Sequence, residues 1–162
     1  MPQNPMERVL FALLHISKIG TSPMIVIWLF YAFESLLQTK AGENFSSIVR
    51  RLCLLLKTNK QQSELLKKKM RTLYDIRSAI VHGGFEVTHP MHNELLDERV
   101  DDTFGKLLDA TDYGHAILLA SIQKTIENGW TFPRIEEMIE GAADFRTRFK
   151  VEKGAKTQVG HH

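Results

Sequence analysis

Apolar side chains recur at three- and four-residue spacing along most of this chain, the period of helices with one face turned inward. Val9, Leu10, Leu13, Leu14, Ile16 and Ile19 make the first stripe, with Pro5 at a first-turn position and Gly20 at its end. Thr21-Ser22-Pro23, a hydroxyl cap followed by proline, starts a second helix running through Trp28 and Phe33 to about Gln38, with Gly42 closing the loop. A third is predicted from about Glu43 to Lys57, on Phe45, Ile48, Val49, Leu52, Leu55 and Leu56. A fourth starts near Asn59 and turns Leu65, Leu66, Met70, Leu73, Ile76, Ile80 and Val81 inward. It stops at Gly83-Gly84, since paired glycines after a helical run end a helix.

Residues 85–92, with Pro90, read as a loop. A long helical stretch follows from about Asn93 to Glu127, with Gly105 and Gly114 as points where it can bend. Gly129-Trp130 ends it, and Pro133 is expected to open a short last helix to about Met138 or beyond. No period-two alternation marks a sheet, and no internal repeat marks a solenoid. The pattern predicts an all-α, single-domain helical bundle of about five to six helices over residues 1–149. A polar tail, 150–162, is expected to be disordered.

Composition adds little to that pattern. The 162 residues, 43% hydrophobic and 25% charged, suit one soluble domain with its own core. Cys53 is the single cysteine, so no intrachain disulfide forms, and a reducing cytoplasm is the expected setting. Its neighbours Leu52, Leu54, Leu55 and Leu56 mark it as a small core residue rather than a nucleophile. The apolar stretch Met24 to Phe33 falls well short of the roughly 20 residues that span a bilayer. It lacks the basic head and cleavage site of a signal peptide, so a buried central helix is expected, and no membrane partner. Gly160-His161-His162 is either native or the remnant of a tag and carries no functional weight.

Charge matters through its distribution, because the net charge is only +2. Arg50, Arg51, Lys57, Lys60, Lys67, Lys68, Lys69 and Arg71 face only Glu64 across their segment. From Glu86 to Asp112 the balance inverts, with acids outnumbering Arg99 and Lys106. A basic strip beside a cleft attracts phosphates. The alternative is two solvated faces that neutralise each other across the bundle. The basic run leads into Arg77 on the same helix, which makes Lys67, Lys68 and Arg71 candidate contacts to RNA.

Arg77 is a polar exception among inward-looking Leu73, Ile76, Ile80 and Val81, and His82 is the last residue before the terminating glycines. A guanidinium grips phosphate with planar, bidentate donors, and an imidazole moves a proton near neutral pH. Together they are the least equipment needed to cleave RNA through its own 2′-OH without metal. Ser78, one turn before His82, is placed to orient the ring or touch a substrate. Five positions set Arg77 and His82 about 140° apart around an ideal helix. They converge only if the last turn distorts, or if each points into a groove shared with a second subunit. In the structural alternative Arg77 pairs with Asp75 or Glu34 and His82 caps carbonyls.

Arg77-Ser-Ala-Ile-Val-His82 resembles the R-x4-6-H signature of HEPN domains, at the end of a helix as in that family. The longer string Leu73-Tyr-Asp-Ile-Arg-Ser-Ala-Ile-Val-His-Gly83 is similar to the Apea-like branch. So are the upstream Phe30-Tyr-Ala-Phe-Glu-Ser-Leu-Leu37 and the apolar helix Ile48 to Leu56. The resemblance covers roughly residues 25 to 125. It implies a helical bundle that forms a homodimer with the two motifs facing one another, acting as a metal-independent endoribonuclease. Toxin–antitoxin and phage-defence systems use such enzymes, so a cognate antitoxin is an implied partner, and no cofactor is implied.

Carried over by position, Arg77 holds the phosphate and His82 is the general base or acid, with the partner copy's histidine in the complementary role. Ser78 stands where active members often carry Asn, Asp or His. Gly84 stands where some toxins carry a tyrosine open to nucleotidylation, so regulation by that route is not expected. Other family members are non-catalytic modules that bind RNA, a nucleotide or a protein, and this is the alternative function. His89, His92 and Glu94 suggest no complete metal site, and Asp112 with His115 reads as surface polarity.

Overall fold

A computed structural model describes residues 4–20, 22–39, 45–85, 98–130, 132–133, 136–138 and 148–150; at 98–101, 136–138 and 148–150 only the backbone is described. Among these residues the fold is an all-α bundle of five helices: α1 (Pro5–Ile19), α2 (Met24–Leu37), α3 (Phe45–Leu56), α4 (Lys60–Val81) and α5 (Glu98–Glu127). A pair of three-residue strands, β1 (Glu136–Met138) and β2 (Arg148–Lys150), follows.

The start of α1 and both ends of α4 obey the capping signals in the sequence, whereas α2 has Pro23 at its N-cap and no side-chain cap, the Met24 N–H reaching the Ser22 hydroxyl at 3.3 Å. Asn4 accepts the amide N–H of Glu7 at 2.8 Å, with Pro5 in the first turn. Asn59 and Gln62 form a reciprocal capping box that starts α4, each side chain accepting the other's backbone N–H at 2.9 Å. At the far end Gly83 takes φ +73°, a left-handed turn that glycine adopts without strain. Gly84 and Phe85 both donate to the Ala79 carbonyl, at 2.8 and 3.0 Å, closing the helix.

α2 is the axle of the bundle and contacts every other helix, whereas α1 packs on α2 alone among the described elements. Leu29, Phe30, Phe33, Leu36 and Leu37 of α2 are buried against Leu52 of α3, Leu66, Met70 and Leu73 of α4, and Leu118 of α5. Burial makes Met24–Leu37 a core helix, and among the described residues no helix is long and apolar enough to cross a membrane. Cys53 is half-buried at the edge of this core. On α1, Val9, Ala12 and Ile16 face inward, while Leu10 and Leu14 of the predicted stripe remain more than half exposed.

Gly114 is a packing position. α5 is a single 30-residue helix, and Gly114 is where Leu29 and Leu73 press closest. A Cβ there would lie 2.9 Å from Leu29 Cδ1 and 3.0 Å from Leu73 Cδ2. The absent side chain lets three helices meet. Gly105 faces open space.

At its described positions, Pro133 and Glu136–Met138, the short helix predicted from Pro133 to about Met138 is not formed. Glu136–Met138 pairs antiparallel with Arg148–Lys150, setting Glu136 opposite Lys150 and Met138 opposite Arg148. Backbone groups are satisfied across the pair rather than along a turn. Gln38 donates to the Pro133 carbonyl at 2.8 Å, tying this segment to the end of α2. The predicted tail beyond Lys150 and the start of the fifth helix at 93–97 lie outside the described residues.

Candidate functional site: the end of α4 and the groove beside it

The core stripe of α4 decides where Arg77 points. Leu66, Met70 and Leu73 are buried at spacings of four and three, and the next position on that stripe is Arg77. Its stem continues the apolar row while the guanidinium emerges at the rim, as long cationic side chains do. The Arg77 side chain is 33% exposed, its Nη2 lies 3.8 Å from Glu34 Oε1, and its guanidinium carbon sits 5.5 Å from the Phe30 ring centre. Of the two partners open from the sequence, Glu34 is the one engaged.

His82 stands on the other side of the helix. It is the C-cap, with φ −96° and ψ 8°, and its backbone N–H bonds to the Ser78 carbonyl at 2.9 Å. Its side chain is exposed. α4 remains helical to Val81, so the roughly 140° divergence of an ideal helix is retained. Distortion of the last turn does not bring Arg77 and His82 together within one copy. Ser78 is half-buried on the His82 side, and among the described residues no hydrogen bond joins its hydroxyl to the imidazole. In the arc between the two faces Val81 is 55% exposed, and on the far side of Arg77 Ile76 and Ile80 are partly buried.

The basic run divides into three fates. Lys67 and Arg71 line a groove of about 440 Å3 with Phe45, Ser46, Val49 and Arg50, and Ser47 completes its wall. The Arg71 guanidinium carbon lies over Phe45, 4.3 Å from its ring centre, and 5.8 Å from that of Tyr74. Lys68 is exposed but stands outside the groove, because one residue turns a helix by about 100°. Arg51 is no part of a solvated strip: it is 4% exposed and donates through Nη1 to the carbonyls of Leu37 and Gln38, both at 2.9 Å. A buried guanidinium at the C-terminal end of α2 satisfies carbonyls that the helix leaves open.

Sequence reading missed Phe45, Ser46, Ser47 and Arg50 as parts of a site. Phe45 was legible only as a core residue, and Arg50 only as one of a basic run. Their convergence with Lys67 and Arg71 depends on how α3 packs against α4.

Among the described residues no three His, Cys, Asp or Glu side chains gather in a way that would hold a metal ion. His89, His92 and Glu94 lie outside those residues. The arrangement sets three cationic side chains in a groove, an exposed imidazole on the same side of α4, and a further cation, Arg77, turned toward α2. No family model, curated protein or solved structure matches the chain.

Proposed function

We propose that this chain is a HEPN-like, metal-independent endoribonuclease that works as a homodimer, with Arg77 of one copy completing the site of His82 of the other. The observation that carries the reading is the position of both residues at the end of one helix, on different faces, each reachable from solvent. Val81, 55% exposed, lies in the arc between them, and the partly buried Ile76 and Ile80 lie on the far side of Arg77. A second copy docked there covers that apolar surface and brings unlike halves of the motif together.

In the reaction, His82 takes the proton of a ribose 2′-OH as that oxygen attacks the adjacent phosphorus. Arg77 holds the non-bridging oxygens as charge builds on them. The bond from phosphorus to the 5′-oxygen breaks, and the departing oxygen takes a proton from water. The products are a 2′,3′-cyclic phosphate and a 5′-hydroxyl. A cytoplasmic toxin or defence nuclease restrained by an antitoxin is the setting the resemblance implies.

A second reading has its own support. Arg77 is engaged by Glu34 and Phe30, as a structural arginine would be, and a non-catalytic RNA-binding module needs no convergence with His82. Incubation of mixed-sequence single-stranded RNA in EDTA separates the two. The wild type is expected to cut and leave cyclic phosphate ends, while His82→Ala and Arg77→Ala each lose at least about 100-fold. Equal background cutting by all three proteins, with RNA affinity retained, would leave the binding module standing instead.

A further inference from the structure

We infer that the groove between α3 and α4 is a binding site for the phosphodiester backbone of single-stranded RNA, and that the strand runs from it along α4 to His82. Its endpoint rests on the ribonuclease reading; the groove itself does not.

Three cationic side chains reach one concavity from two helices: Arg50 from α3, and Lys67 and Arg71 from α4. All three are exposed, so they meet a ligand without first leaving the core. Among the described residues, Lys67 and Arg71 make no ion pair. The Arg71 guanidinium carbon lies 4.3 Å from the centre of the buried Phe45 ring, a cation–π contact that holds it at the groove. A guanidinium fork matches two phosphate oxygens. Ser46 adds a hydroxyl at the rim.

Helix geometry supplies the direction. At about 100° per residue, Lys67, Arg71, Tyr74, Ser78 and His82 fall within an arc of about 80° on α4. They form a continuous face about 22 Å long, suited to the roughly 4 or more nucleotides that single-strand grooves hold. Arg77 lies off this face, toward α2, and Lys68 lies off its opposite edge. Asp75 flanks the stripe about 20° beyond its edge, and Glu64 lies in line with it one turn before Lys67. A linear track of this kind fits a strand better than an isolated phosphoryl group, which one pocket would satisfy.

The test uses the full chain and a fluorescein-labelled 12-mer of 2′-O-methyl RNA, which binds but cannot undergo transesterification. Lys67→Ala and Arg50→Ala are each expected to weaken binding several-fold at every sequence and to lower the salt slope by about 0.7 for each phosphate left without its cation. Lys68→Ala removes the same charge from the same helix outside the groove and is expected to leave affinity within twofold of wild type. Equal losses at Lys67 and Lys68, or no loss at Lys67 and Arg50, would overturn the groove. So would tighter binding to vesicles of anionic phospholipid than to the strand. Cleavage of unmodified RNA separates this from the ribonuclease reading. Groove-dependent binding without cleavage keeps the groove and removes the nuclease. Cleavage by wild type that is indifferent to Lys67 and Arg50 does the reverse.

Discussion

The guanidinium of Arg77 and the carboxylate of Glu34 face each other at 3.8 Å across the boundary between α4 and α2. The distance is longer than a good hydrogen bond, and both side chains are about a third or more exposed. Glu34 therefore holds Arg77 loosely, as an anion that a phosphate can replace.

Glu34→Gln tests that relationship. Removing the carboxylate is expected to change folding stability by less than about 1 kcal/mol, because exposed ion pairs contribute little. RNA affinity is expected to rise by about two- to threefold at low salt, with the gain fading as salt screens the charge. A fall in affinity would mean that Glu34 positions Arg77 for the ligand rather than competing with it.

The two glycines of α5 are expected to answer oppositely. Gly105→Ala adds a methyl into open space on an exposed turn and is expected to stabilise by about 0.5–1 kcal/mol. Gly114→Val drives a branched side chain between Leu29 and Leu73, already 2.9–3.0 Å from a Cβ, and is expected to destabilise by about 2 kcal/mol or more. Denaturant melts of the two variants check both.

Arg51→Met keeps the length of the side chain and removes its donors. The carbonyls of Leu37 and Gln38 then lose their partner, with an expected cost of about 3 kcal/mol for the loss of charge-assisted bonds in a buried place. Thermal unfolding measures it, and an unchanged melting temperature would show that the carbonyls find other donors.

Tyr113 gives a pH signature. Burial pushes its phenol above the ordinary tyrosine value, and the nearby Cys53 adds to the shift. A raised folded value means that the fold favours the protonated phenol. Its contribution is fully present below the ordinary value of about 10 and lost as pH rises through the folded value. Tyr113→Phe is expected to flatten the alkaline part of the stability profile. An unchanged slope above about pH 10 would assign the loss to other groups.

Much of the fold was legible because the stop and start signals are local. Asn59 with Gln62 and the pair Gly83-Gly84 bracket α4 by chemistry contained within a few residues. The divergence of Arg77 and His82, about 140°, was legible too, since it follows from helix geometry alone. What eluded sequence reading depends on packing. Glu34 is far from Arg77 along the chain, and only the placement of α2 beside α4 selects it over Asp75. Arg51 looked like one more charge in a basic run, yet the end of α2 supplies buried carbonyls that accept it. Glu136–Met138 pairs with a segment beyond the reach of local propensity, so a proline-led helix looked equally acceptable there.

In the proposed enzyme Arg77 and His82 act across two copies, and mixing two inactive variants reads this out. Arg77→Ala and His82→Ala, each inactive alone, are combined in equal amounts, allowed to exchange subunits, and assayed for RNA cleavage in EDTA. Random pairing makes half the dimers mixed, each with one intact site of two, so about a quarter of wild-type activity is expected to return. A mixture of demonstrably exchanged dimers that remains as inactive as its components would contradict the composite site.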